Sequence, residues 1–230
     1  TCCYEFCQSG CCGRAFVVGD RAVVARTQRR DDWLAASATT EGVGALDEAT
    51  ASALRRSWLR DAQMEHASIA SFARFTLELL GLGAPPDLVE ASQRASLDEI
   101  EHARLCFALA ARFGRAPVGP APLAVDGALR VVGLAACVAA AVREGCIGES
   151  VAALVAREQL AQASDPEVMR ALARIAADEE RHATLAFRFV RWGIEAGGEA
   201  VREAARRAFD EGTRVARGAK VLDEGAVDAG

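Results

Sequence analysis

From Asp47 almost to the C-terminus, apolar residues recur at the three- and four-residue intervals that place them on one face of an α-helix. The pattern predicts a first helix from about Asp47 to Leu80, stopped by Gly81 and the Gly83-Ala84-Pro85-Pro86 turn. A second helix starts at Pro86 or Asp87 and ends at Phe113. The Pro- and Gly-rich stretch from Gly114 to Gly127 is long enough to cross the length of a bundle. A third helix covers about Ala128 to Ala163. Asp165-Pro166 then supplies an N-cap followed by proline at the first helical position, opening a fourth helix to about Ala196. Gly197-Gly198 breaks it, and a short fifth helix runs from about Glu199 to Ala216, leaving residues 217–230 as a polar tail.

Residues 1–46 follow no helical period; short strands are expected around Phe16–Val18 and Arg21–Val24. The predicted class is therefore all-α: a four-helix bundle over residues 47–216, with one long crossover and a short fifth helix, behind a Cys-rich irregular extension.

Composition agrees with this outline. Fifty of the 230 residues are Ala, six are Pro, and Arg outnumbers Lys by 26 to one. An apolar content of 51% excludes a disordered chain, and a net charge of −5 argues against nucleic acid as a partner. The longest apolar run, Val131 to Val142, falls short of the roughly 20 residues a bilayer crossing needs and reads as a buried core helix, not a transmembrane segment. Five of the eight cysteines (Cys2, Cys3, Cys7, Cys11 and Cys12) crowd into the first twelve residues, without paired zinc-ligand spacing. They resemble a disulfide knot or a soft-metal cluster, and the expectation drawn from them is export, to the periplasm or onto a lipid anchor, with the cytoplasm as the alternative.

Two of the three histidines lie three residues after a glutamate, in Glu99-Ile100-Glu101-His102 and Glu179-Glu180-Arg181-His182. Residues three apart on a helix share a face, so each pair can aim two ligands at one point. The stretches Ser96–Leu105 and Ala176–Leu185 also agree at Asp, Ala and Leu, which makes them an internal repeat. In an antiparallel hairpin the facing residue should lie 13–16 positions before the preceding helix ends. Glu65 and Glu149 meet that condition; Glu144 sits a turn or more too far away. Six ligands are thus expected at one level: Glu65, Glu99, His102, Glu149, Glu179 and His182.

This set resembles the ferritin-like di-iron carboxylate superfamily, in its symmetric form shared by bacterioferritins, rubrerythrins and related oxygenases. The resemblance covers Asp47 to Ala216. It implies a two-metal site, with two iron ions or a manganese or mixed pair, that activates oxygen or peroxide. It further implies that Asp98 and Asp178, each preceding a ligand Glu, hydrogen-bond the histidine of the opposite helix. Two divalent ions would bring four carboxylates and two neutral imidazoles to a neutral total.

An oxidase or oxygenase of a small organic substrate, served by an electron donor, is the leading expectation. A ferroxidase or iron-storage protein is the first alternative, and a structural or binding domain the second. The sequence leaves a homodimer open. Its single tyrosine, Tyr4, argues against a tyrosyl-radical enzyme. His66 points about 100° away from the Glu65 face and is expected to be structural. Glu144 is expected at the rim, and Cys106 and Cys146 as small core fillers near the metals.

Overall fold

In a computed structural model the chain is described over residues 13–19, 21–35, 46–129 and 133–227, the last fifteen by backbone alone. The Cys2, Cys3, Cys7, Cys11 and Cys12 cluster lies outside the described residues. The described chain is mostly helical. α1 (Glu48–Gly81) starts where Asp47 accepts a hydrogen bond from the Thr50 backbone amide at 2.9 Å. α2 (Pro86–Gly114) has proline in its first turn and runs one residue past the expected end at Phe113, where Arg115 at φ 53° turns the chain.

The third helical column differs most from expectation. It begins at Leu134, six residues after Ala128, and changes pitch twice: α3 (Leu134–Ala141), a π-helical segment (Val142–Glu149) and α4 (Ser150–Gln162). α5 (Pro166–Val227) opens on Asp165, which accepts from the amides of Glu167 and Val168 and also pairs with Arg112 at the end of α2. Its helical path breaks at Gly198, φ 64°, where the sequence predicts the boundary between fourth and fifth helices. Helical backbone then continues to Val227, beyond the expected end at Ala216.

α1 packs along α2, the third column packs along α5, and α2 meets α5 between them. Ahead of α1, β1 (Val17–Val18) and β2 (Arg21–Ala22) form a small antiparallel hairpin at the expected positions. β3 (Thr27–Gln28) then pairs with β4 (Gly119–Pro120), which ties the extension to the crossover.

The buried apolar residues form two cores. One gathers Phe72, Phe75, Leu79, Val138, Val142 and Phe189; the other gathers Trp58, Ala62, Phe107, Phe113, Leu172 and Ile175. Along α1 and α2 the level between them falls at Glu65 and at Glu99–His102, so the polar layer is sandwiched by apolar ones.

Gly145 permits the third column to approach α5: a Cβ there would lie 2.5 Å from the Ala186 Cβ. Gly145→Ala should therefore destabilise the fold by about 1–3 kcal/mol in urea unfolding. Gly81→Ala, whose Cβ would meet nothing within 4 Å, should be neutral or stabilising.

Candidate metal centre

The structure brings together all six residues expected from the sequence, and none is more than 4% exposed. Glu65 comes from α1, Glu99 and His102 from α2, Glu149 from the last position of the π segment, and Glu179 and His182 from α5. Their ligand atoms form two groups, Glu65/Glu99/His102/Glu179 and Glu99/Glu149/Glu179/His182, each lying within 4.8 Å of one another. Glu99 and Glu179 belong to both.

Each imidazole is aimed by an aspartate from the opposite helix. His102 Nε2 lies 3.0 Å from Asp178 Oδ2, and His182 Nε2 lies 3.4 Å from Asp98 Oδ2. The Nδ1 atoms therefore face inward. His102 Nδ1 is 3.7 Å from Glu65 and Glu99 and 3.6 Å from Glu179, while His182 Nδ1 is 3.1 Å from Glu99. Arg174 and Arg181 bracket both aspartates: Arg174 Nε lies 2.5 Å from Asp178, and Arg181 Nη2 lies 3.1 Å from Asp98.

Nine buried ligand atoms have no hydrogen-bond partner of acceptable geometry: both oxygens of Glu99, Glu149 and Glu179, Glu65 Oε2, and the two Nδ1 atoms. Buried polar atoms are almost always satisfied, so nine orphans converging on one point describe a cradle for cations. The donor set, carboxylate oxygen plus imidazole nitrogen without thiolate, suits iron, manganese or zinc.

Electrostatics agree. Burial, reinforced by Glu99, pushes the Glu65 carboxyl well above its ordinary range; burial and the nearby Glu179 do the same to Glu149. Burial would also raise Glu99, but the two imidazoles outweigh it and hold Glu99 low. His102 and His182 resist burial and are raised well above the imidazole norm by their carboxylate neighbours. In the metal-free chain, protons thus stand in for cations.

The extension covers this centre. Gly13, at φ +64°, brings its backbone so close that a Cβ would meet Ser68 Oγ at 3.2 Å, Glu65 Oε2 at 3.7 Å and Glu149 Oε2 at 3.9 Å. α1 holds the strand behind it by three successive side chains on one face. Ser68 donates to the Arg14 carbonyl at 3.0 Å, Ser71 to that of Ala15 at 3.4 Å, and Arg74 to that of Val17 at 2.6 Å. The Arg14 guanidinium is buried over the rings of Phe75 and Phe72.

Glu144 remains outside the ligand set, half-buried between Arg14 and Arg74 at 3.6 and 3.5 Å. His66 faces away and meets the Trp33 ring edge-on at 5.0 Å. Cys106 and Cys146 are buried in the apolar cores with free thiols; burial pushes the Cys146 thiol up to about 12.

Sequence reasoning did not single out Arg174 and Arg181, although their i−4 and i+3 spacing from Asp178 was visible. For Gly13 and Ser68 no local signal existed. Comparison of the chain with family models, curated proteins and solved structures yields no match.

The raised proton affinities have a sign. His102 and His182, like Glu65 and Glu149, bind protons more tightly folded than unfolded, so stability is lost as pH rises through their raised values. Asp98, Asp178 and Glu99 are lowered and act oppositely, losing stability only as pH falls through the acid range. Thermal melts of the chelator-treated chain should therefore show Tm falling as pH rises above about 6.5, the ordinary imidazole value. Glu65→Gln should flatten that decline; a Tm that rises with pH would contradict the charge assignment.

Proposed function

We propose that this chain is a ferritin-like di-metal carboxylate protein. In this reading its centre holds two iron ions, or a manganese or mixed pair, and activates oxygen or peroxide at the expense of a small organic molecule or electron donor. The observation that carries the reading is the pair of overlapping ligand groups sharing Glu99 and Glu179, filled with unpartnered atoms. A single-ion site would not need two groups that share residues.

Two adjacent redox-active ions supply paired one-electron changes and Lewis acidity for reducing an oxygen species. The chain's own residues prepare that chemistry. Glu99 and Glu179 present oxygens to both positions, Glu65 with His102 serves one, and Glu149 with His182 serves the other. Asp178 and Asp98 accept the Nε2 protons and so direct the Nδ1 lone pairs inward. Arg174 and Arg181 keep those aspartates ionised and oriented. The Gly13 backbone and the flanking cores exclude bulk water, which strengthens every charge interaction inside.

Elemental analysis of protein loaded with ferrous iron under anaerobic conditions should find two ions per chain. Glu99→Ala and Glu179→Ala, each removing a shared ligand, should abolish paired loading, and Glu149→Ala should empty one position. Glu144→Gln should keep both. Full loading in the Glu99 and Glu179 variants would end the di-metal reading. Asp178→Ala should weaken metal affinity by about 10–100-fold without altering the ligand set. Admission of air should oxidise the loaded iron faster than free iron in the same buffer. Uptake far beyond two irons per chain would instead mark storage.

A further inference from the structure

An elongated cavity of about 30 Å³ lies in the seam between α1 and α4 and reaches the metal centre from one side. Its lining follows helical spacing on three elements: Trp58, Asp61 and Glu65 on α1; Ala152, Ala156 and Gln159 on α4; and Leu172, Ile175 and Glu179 on α5. Seven residues from Trp58 to Glu65, and seven from Leu172 to Glu179, spread its lining over about 10 Å along the bundle axis. One end is half-polar, where Asp61 and Gln159 are half-buried. The middle is apolar, walled by Ala152, Ala156, Ile175 and the buried Cys106. The inner end is formed by Glu65 and Glu179, whose inward oxygens have no partner, and is closed beyond them by the Gly13 backbone.

We propose that this seam is the access passage and waiting site for dioxygen itself, a neutral apolar diatomic, and that Ala152 and Ala156 set its bore. The inference deepens the di-metal reading by choosing among its oxidants, and it rests on that reading only for the destination of the gas. Size supports it. A space of about 30 Å³ admits one or two molecules of water or dioxygen size, whereas small-molecule sites run to roughly 300 Å³ and more, so an organic substrate does not enter here. Polarity supports it too. A polar oxidant or hydrated cation would give up its hydrogen bonds in the alanine-lined middle section, whereas dioxygen has almost none to lose.

The direct test uses the metal-free chain under raised oxygen pressure, with methyl relaxation read by NMR. Dissolved dioxygen is paramagnetic and speeds the relaxation of protons it approaches. The methyls of Ala152, Ala156 and Ile175 should respond more strongly than comparably buried methyls of the other core, such as Val190 and Val201. Equal response in both cores would overturn the proposal, whatever the metal content. Ala156→Leu, filling the bore, should remove the enhancement at Ile175. In the iron-loaded protein it should slow oxidation by dioxygen several-fold at limiting gas concentration while two ions per chain are retained. Unchanged oxidation in a fully loaded Ala156→Leu protein would also overturn it. Should Ala156→Leu fail to fold, the wild-type relaxation contrast still decides. Absence of metal uptake would count against the di-metal reading alone.

Discussion

The organising constraint of this protein is the burial of four carboxylates and two imidazoles at one level between two apolar cores. Removing such charges from water is costly unless something of opposite sign replaces the lost hydration. The two apolar layers flank the centre along the bundle axis. Phe72 stands against the His182 ring at 5.1 Å, and Phe107 and Ala103 lie just beyond His102. The same packing that stabilises the fold thus makes the polar layer demand cations or protons.

Around that layer the compensation is graded. Inside, carboxylate and imidazole neighbours set one another's proton affinities, with Glu99 held low and Glu65 and Glu149 pushed high. One step out, Asp98 and Asp178 take the outward nitrogens of the imidazoles, and two further arginines tie down those aspartates at the surface. On another side Arg14 and Arg74 enclose Glu144 beneath the N-terminal strand.

The third column shows how pitch, and not residue choice alone, can serve a site. A π-helical segment spans Val142 to Glu149 and ends on a residue of the buried cluster. Wider turns of this kind occur often at functional sites, because they redirect one side chain without breaking the helix. Gly145 within it allows contact with α5, and Gly148 faces the Gly13 carbonyl, so the segment's small residues serve packing on both sides. Ala152 and Ala156 continue the small-residue run into α4, where the space is left unfilled.

Helix positions, the repeat, and the gathering of six carboxylate and imidazole residues at one level were legible from the chain alone because they rest on short-range rules. A Glu three residues before a His shares its face on any α-helix, and Glu65 or Glu149 can be levelled against its hairpin partner by counting rise per residue. The Asp98 and Asp178 contacts came with the resemblance and were found in place. What counting could not reach depends on contacts distant in sequence or on departures from ideal pitch. The start at Leu134, the π segment and the left-handed Arg115 arise from how the column must fit its neighbours. The Gly13 backbone over Glu65 and Glu149, the pairing of β3 with β4, and the open seam beside Ala156 exist only after the chain has closed on itself. Nothing in the local period of residues 13–28 specifies a partner some fifty to ninety positions away, so tertiary packing alone decided what covers the centre and what reaches it.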